Sequence, residues 1–164
     1  MSRTSRHLIV DGYNLIHSLP ATRSLMRQGL IPAREALVNL ARAIHDADKI
    51  RVTVVFDGPS AQLTFEEPTG EGTFVVIYGT AEISADGIIE QLSAKRGRGE
   101  EIVVASEDRM IGESVLANGG SILVGADFAA WYEASVRRKG EQIRQIRRKN
   151  RECFGSNLGD LLGD

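Results

Sequence analysis

The sequence contains few of the residues that build several common kinds of functional site. Its 164 residues include one cysteine, Cys153, and three histidines. One cysteine excludes an internal disulfide framework and a cysteine-rich zinc site, and three scattered histidines argue against a structural zinc site. No apolar run approaches the ~20 residues that a membrane-spanning helix needs, and no apolar signal segment opens the chain. We therefore expect a protein of the reducing cytoplasm that does not contact a membrane.

The net charge of −2 is distributed unevenly along the chain. Residues 137–151 contain eight basic side chains and one acidic side chain, Glu141. The rest of the chain has 12 basic and 21 acidic side chains, a net charge of −9. The eight basic residues are Arg137, Arg138, Lys139, Arg144, Arg147, Arg148, Lys149 and Arg151. This segment is either a solvated helix face or a surface that binds a polyanion.

Short apolar runs alternate with stretches of helical periodicity. The runs predict five strands, at residues 8–10, 51–56, 73–78, 102–105 and 121–125. Strands that alternate with helices at this spacing are typical of a parallel sheet covered by helices on both faces. We therefore predict an α/β fold with a central, mainly parallel sheet of about five strands.

Apolar side chains recur at helical spacing between the predicted strands. This spacing predicts helices at residues 33–48, 85–95 and 108–118. A last helix is expected to start with Asp127 as its cap, to be interrupted at Gly140 and to carry the basic segment. The remaining stretches are predicted to be irregular, namely a turn after Asp11, connections at 20–32 and 58–73, and a loosely ordered end at 153–164. We expect one domain at residues 1–136, followed by a basic helical extension and short tail at residues 137–164.

Acidic residues stand where the predicted strands end. Asp11, Asp57 and Asp108 follow three of the first four strands, and Asp86 opens the helix after the remaining one, with Glu90 one turn later on the same face. The strands of a parallel sheet have their carboxyl ends at one edge, where ligand sites form. These carboxylates are therefore expected to converge.

Carboxylates that converge repel one another and raise each other's pKa unless a cation is present. Hard oxygen ligands in this number suit Mg²⁺ or Mn²⁺. Asn14 and Ser106 would add neutral oxygens or orient water. The alternative is that each Asp caps a turn or a helix. Four of them at one edge favour a metal site.

Four segments resemble the YacP-like family, within the NYN-domain branch of the PIN-like nucleases. They are VDGYN at 10–14, VVFDG at 54–58, SADGIIE at 84–90 and VVASEDR at 103–109. The resemblance covers about residues 7–125 in matching order, and the following helix and basic segment are similar as well. It implies a three-layer PIN-like fold and a metal-dependent endoribonuclease. Bacterial YacP-like proteins act on mRNA engaged with the ribosome, so the resemblance implies mRNA and the ribosome as partners.

The resemblance also implies roles for individual residues. It assigns the acidic site to Asp11, Asp57, Asp86 and Asp108, with Asn14 as the motif asparagine. Ser106 and Glu90 fall on positions that support the site. One departure is Gly87, where relatives often carry a second acid.

The basic residues complete the hypothesis of a metal-dependent nuclease. The segment 137–151 and the corner formed by Lys95, Arg96 and Arg98 would hold the RNA backbone through salt-sensitive contacts. Aromatic residues are only 5% of the chain. Tyr13 is the one candidate for base stacking near the site, and Trp131 is expected in the core.

Three other functions are each favoured or disfavoured by a feature of the sequence. A non-catalytic RNA- or ribosome-binding module would keep the fold without cleaving RNA, and Gly87 favours it. A phosphatase with an Asp nucleophile usually needs a second Asp two residues later, where this chain has Tyr13. A dinucleotide-binding domain needs a glycine-rich turn, which does not follow Gly12.

Overall fold

A six-stranded sheet forms the centre of the structure, a computed structural model that describes the backbone of residues 5–162 and the side chains of residues 5–155. In chain order the elements are β1 Ser5–Asp11, α1 Gly12–Ser18, α2 Pro20–Leu25, α3 Leu30–Asp48, β2 Arg51–Phe56, β3 Thr64–Glu66, β4 Phe74–Tyr78, α4 Ala85–Ala94, β5 Glu100–Ala105, α5 Arg109–Ala117, β6 Ser121–Leu123 and α6 Gly125–Leu162.

The strand order is β3-β4-β2-β1-β5-β6, and β1 lies between β2 and β5. All neighbouring strands pair in parallel except β3, which is antiparallel to β4. The chain leaves β1 towards β2 on one side, whereas it leaves β5 towards β6 on the other. The direction of connection therefore reverses between β1 and β5. In open α/β sheets such a reversal opens a crevice at the carboxyl ends of the strands.

Alternating side chains divide the core into two layers. Leu8 and Val10 of β1 face one layer, which α1, α3 and α6 cover. Ile9 between them faces the other layer, which α4 and α5 cover. Each fully buried side chain of this size contributes about 1.5–3 kcal/mol of hydrophobic stabilisation. The predicted α/β domain, with helices on both faces of a mainly parallel sheet, is confirmed.

The helix α6 is anchored to the end of α3 by one carboxylate. Asp48 accepts hydrogen bonds from Trp131 Nε1 at 2.5 Å and from Ser135 Oγ at 3.2 Å, and it pairs with the Arg138 guanidinium at 2.8 Å. The guanidinium of Arg6, near the start of β1, lies 5.7 Å from the centre of the Trp131 ring. α6 therefore begins at the carboxyl edge of the sheet and runs to the opposite edge. Residues 141–155 are all exposed as it continues beyond the domain.

Three of the predicted irregular connections are wrong. The turn after Asp11 is the helix α1. The connection at 20–32, for which one helical turn is predicted, contains the six-residue α2 and also the first residues of α3. The predicted connection at 58–73 contains β3, a strand in addition to the five that were predicted. β3 has only three residues, all of them exposed, and is too short to show a recognisable alternation.

The last helix also differs from the prediction. α6 starts at Gly125, which places Asp127 in its first turn rather than at its cap. It continues through Gly140 and through the predicted loose end to Leu162, while residues 163 and 164 lie outside the described part. Glycine weakens an exposed helix by about 1 kcal/mol, which is too little to interrupt this one. Within residues 5–162, no helix is long and apolar enough to cross a membrane.

Gly12 is required by the close approach of α1 to β2. A Cβ atom at this position would overlap the Phe56 ring and lie 2.7 Å from the Val55 carbonyl oxygen.

We expect Gly12→Ala to lower the free energy of unfolding by about 1–3 kcal/mol, as overpacking does in other cores. Urea denaturation measures this loss. The control is Gly72→Ala, whose Cβ would meet no atom within 4 Å and should change stability by less than about 0.5 kcal/mol. Equal losses in the two variants would contradict the packing account.

Candidate active site

The structure places the four predicted aspartates along the carboxyl edge of the sheet. Asp11 is the last residue of β1, and Asp57 directly follows β2. Asp108 is the N-cap of α5, just after β5, and Asp86 is the second residue of α4. Each of these residues lies at the end of a buried strand or after it, so the strand brings the chain to this edge.

Asp11 is the buried member of this group, with 6% of its surface exposed. The pKa of its carboxyl is raised to about 6. Burial is the largest cause, a hydrogen bond from Ser106 opposes it, and the charges of Asp86, Asp108 and Asp57 add to the increase. Ser106 Oγ donates that hydrogen bond to Asp11 Oδ2 at 2.8 Å. Among the described side chains, no Lys or Arg forms an ion pair with Asp11.

Asp86 shares the electrostatic environment of Asp11, although its side chain is exposed. Partial burial raises the pKa of Asp86, and the charges of Asp108, Asp57 and Glu90 raise it further. Charges change one another's pKa only over short distances. These five acidic side chains therefore form one cluster, which we call the acidic cluster.

Two of these carboxylates also serve as caps, as the alternative interpretation proposed. Asp108 Oδ1 accepts hydrogen bonds from the backbone N–H groups of Met110 at 2.8 Å and Ile111 at 3.1 Å. Asp57 Oδ1 accepts one from Ala85 at 2.9 Å, which ties β2 to the start of α4. Asp57 and Asp108 therefore bind backbone N–H groups at helix starts and also belong to the acidic cluster.

The spacing of the carboxylates bears directly on metal binding. Within the described side chains, no three Asp, Glu, His or Cys residues stand close enough to hold one metal ion. Asp11, Asp57 and Asp108 each accept a hydrogen bond from a separate local donor, which is a hydroxyl for Asp11 and backbone N–H groups for the other two. A shared cation therefore requires these side chains to turn towards one another or to bind through water.

Ser106 and Asn14 connect the ends of β1 and β5. Ser106 Oγ donates to Asp11 and accepts the Asp108 backbone N–H at 3.0 Å, so one hydroxyl positions two acids. Asn14 Oδ1 accepts the Glu107 backbone N–H at 2.8 Å. Glu107, which the sequence analysis did not select, accepts the Gly125 N–H at 3.3 Å and joins the start of α6 to this edge. Nothing in the sequence distinguishes it from other exposed acids.

Ser84 is a second residue that the sequence analysis did not select. It is the N-cap of α4, and its Oγ accepts the Gly87 backbone N–H at 3.2 Å, which fixes the turn that carries Asp86. A serine before a helical apolar pattern is a recognisable cap signal. A Cβ at Gly87 would meet only Ser84 Oγ, at 3.6 Å. There is room for a side chain at this position, so packing does not explain the missing second acid.

Aromatic rings form a row beside the acidic cluster. The half-buried Tyr13 ring lies 5.1 Å from the Phe56 ring, which lies 5.7 Å from the Tyr78 ring. Tyr13 thus packs against the core, two residues after Asp11. Trp131 packs against the core, as predicted.

The predicted RNA-binding residues lie away from the acidic cluster. Lys95, Arg96 and Arg98 follow the end of α4 and precede β5, which places them at the opposite edge of the sheet. Arg96 donates to the Gly119 carbonyl oxygen at 3.0 Å. The basic segment of α6 extends from the same opposite edge, where Arg138 is paired with Asp48. A role for these residues in RNA binding stays a prediction.

Comparison with known proteins identifies the family. The profile of the YacP-like NYN domain matches residues 8–160. The chain belongs to the YacP-like NYN-domain family. This membership indicates a nuclease-type, RNA-related function.

Two solved structures of this family have a similar fold. One is Rae1 (YacP) from Bacillus subtilis, with 24% identity over 94% of this chain and 89% of that chain, at a TM-score of 0.71. The other is a tryptophan-to-leucine point mutant of that same protein, with 25% identity over 87% of this chain and 84% of that chain, also at a TM-score of 0.71. Among curated proteins, no match is found.

The raised pKa of Asp11 predicts a pH-dependent effect of Asp11→Asn on stability. The folded carboxyl has a pKa of about 6, above its ordinary value of 3.8, so ionisation destabilises the folded state as pH rises between these values. The cost at neutral pH is at most about 3 kcal/mol, at 1.36 kcal/mol per pKa unit. Asparagine removes the charge and still accepts the Ser106 hydrogen bond. We therefore expect Asp11→Asn to be more stable than the parent at pH 7.5.

This difference should shrink towards pH 4, where the parent carboxyl is protonated. Urea denaturation in EDTA at both pH values measures it. Glu113→Gln, which removes an exposed charge from α5, serves as the control. A stability difference that is the same at both pH values would contradict the assigned pKa.

Proposed function

We propose that the chain is a metal-dependent endoribonuclease that hydrolyses RNA phosphodiester bonds at the carboxyl edge of the sheet. The supporting observation is the acidic cluster, in which the buried Asp11 carboxyl has a pKa of about 6 and no cationic partner among the described residues. Membership of the YacP-like NYN-domain family supports the same activity. mRNA, engaged with the ribosome, is the substrate class that the resemblance implies.

The donor set of the acidic cluster fits Mg²⁺ or Mn²⁺. These ions prefer carboxylate oxygens and water, and the cluster presents carboxylates without a protein cation to neutralise them. Asp11 and Asp108 are the first candidates to hold the ion, with Asp57 and Asp86 binding directly or through water. When bound, the ion would activate a water and stabilise charge on the phosphate and the leaving oxygen.

The protein's own residues would position the reactants. Ser106 holds Asp11 and the Asp108 backbone in fixed relation, and Asn14 holds the end of β5 against α1. Asp57 and Asp86 are exposed at the open edge, where substrate has access. Asp57 and Asp86 are therefore the candidates to take the proton from the attacking water.

A second candidate function is an RNA- or ribosome-binding module without catalytic activity. Two observations favour it, namely the absence of a three-ligand group among the described side chains and the missing second acid at Gly87. This function predicts salt-sensitive RNA binding without metal-dependent turnover.

RNA cleavage with Mn²⁺ separates the two functions. We expect the parent to cleave RNA internally and Asp11→Asn to lose at least about a hundredfold in kcat/KM, because the ion loses a direct ligand. Ser106→Ala should lose about 10–100-fold, since it releases the orientation of Asp11. The rate of product formation from an end-labelled RNA measures both effects.

Glu113→Gln is the matched control, because it removes a carboxylate outside the acidic cluster and should keep the parental rate. If Asp11→Asn cleaves as fast as the parent, the site assignment is wrong. If the parent binds RNA without any Mn²⁺-dependent cleavage, the binding module is the correct function.

A further inference from the structure

The exposed part of α6 carries a concentrated positive charge that the domain does not neutralise. We call residues 137–155 the α6 arm, within which Arg138 pairs with Asp48. Among described side chains, Arg144 donates only to the Gly140 carbonyl oxygen at 3.4 Å, and Arg148 pairs with Glu152 at 3.2 Å. No ion pair in the described part of the chain involves Lys139, Lys149 or Arg151.

Four of the six arginines in residues 137–151 share one face. Arg137, Arg144, Arg148 and Arg151 are separated by seven, four and three residues. At about 3.6 residues per turn, these spacings place all four side chains on one side of the helix. Lys139 and Lys149 fall on other sides. The four arginines form a stripe roughly 20 Å long, at ~1.5 Å of rise per residue.

The arginine stripe is far from the acidic cluster. β1 spans roughly 16 Å from Asp11 back to Arg6, at ~3.3 Å per residue, and so crosses the sheet from the carboxyl edge to the opposite edge. Trp131 lies at that opposite edge, beside the Arg6 guanidinium. From Trp131 to Arg144, α6 continues for roughly 20 Å more. The separation of Asp11 and Arg144 is therefore on the order of 30 Å, or about nine phosphates of a stacked strand at ~3.4 Å each. One short RNA segment cannot contact both.

We propose that the arginine face of the α6 arm binds a second RNA segment, distinct from the one held at the acidic cluster. The inference rests on the proposed function, and it specifies the substrate class as RNA that is long or folded enough to reach both surfaces. Charge favours this partner, since residues 137–151 carry +7 and the rest of the chain carries −9 and repels phosphate. Guanidinium groups in a row also match phosphate oxygens, which they bind in pairs.

The test compares two pairs of substitutions that remove the same charge from the same arm. Arg144→Gln/Arg151→Gln changes the proposed face, and Lys139→Gln/Lys149→Gln changes the other sides. Glutamine keeps good helix propensity at all four positions. Fluorescence anisotropy in Ca²⁺, which prefers the same oxygen ligands as Mg²⁺ and Mn²⁺, measures the Kd of each full-length protein for two RNAs. One is a 40-nucleotide stem-loop, whose stem of about 18 base pairs is about twice the required reach, and the other is a tetranucleotide.

We expect the arginine pair to raise the Kd for the stem-loop roughly tenfold and the lysine pair to raise it less than about threefold. The slope of log Kd against log salt should fall by about 1–2 for the arginine pair, because two phosphate contacts are lost. The preference for stem-loop over tetranucleotide should fall by a similar factor.

Three results would overturn the inference. Equal losses from the two pairs would show a diffuse charge effect, and no loss from either would show that the arm does not bind RNA. If the arginine pair weakened the binding of the tetranucleotide and of the stem-loop by the same factor, the arginine face and the acidic cluster would contact one shared RNA segment. A separate result would show that the proposed nuclease function is wrong while this inference holds. In that case stem-loop binding would still depend on the arginine face, but the protein would not cleave the RNA when Mn²⁺ is added.

Discussion

A buried carboxylate at the end of the central strand determines how the carboxyl edge of this protein is built. Asp11 is held among other acids by a single hydroxyl, that of Ser106, and no described Lys or Arg neutralises it. Isolated charges are strongly destabilised in such a position, so the surrounding structure has to compensate. β1 and β5 must be neighbours, and Gly12 must let α1 approach Phe56. Local destabilisation of this kind is commonly found where function requires it.

The distribution of charge gives the molecule two distinct ends. The acidic cluster occupies the carboxyl edge, whereas residues 137–151 of α6, at and beyond the opposite edge, carry a net charge of +7. Asp48 determines this arrangement, because its bonds to Trp131, Ser135 and Arg138 fix where α6 leaves the domain. A nuclease organised in this way would use one end for chemistry and the other for affinity, so the length and shape of an RNA would matter more than its sequence.

Much of this organisation was predictable from the sequence, because buried strands and amphipathic helices leave periodic patterns. The Asp residues were found because each follows such a strand, and parallel strands end at the same edge. β3 was missed because its residues are exposed, and α1 because Asp-Gly-Tyr-Asn has the composition of a turn. The position of the basic residues could not be read from spacing alone, since α4 and α6 carry the chain back across the sheet. Ser84 has the sequence signal of a helix cap, whereas nothing in the sequence distinguishes Glu107.

The central claim is that the acidic cluster binds a catalytic cation, and a crystal structure with Mn²⁺ tests it most directly. Anomalous scattering locates the ion without reference to activity. We predict a Mn²⁺ peak about 2.0–2.3 Å from carboxylate oxygens of Asp11 and Asp108, with Asp57 or Asp86 bound directly or through water. Carboxylates that keep their present capping bonds in saturating Mn²⁺, with no anomalous peak between them, would contradict the account.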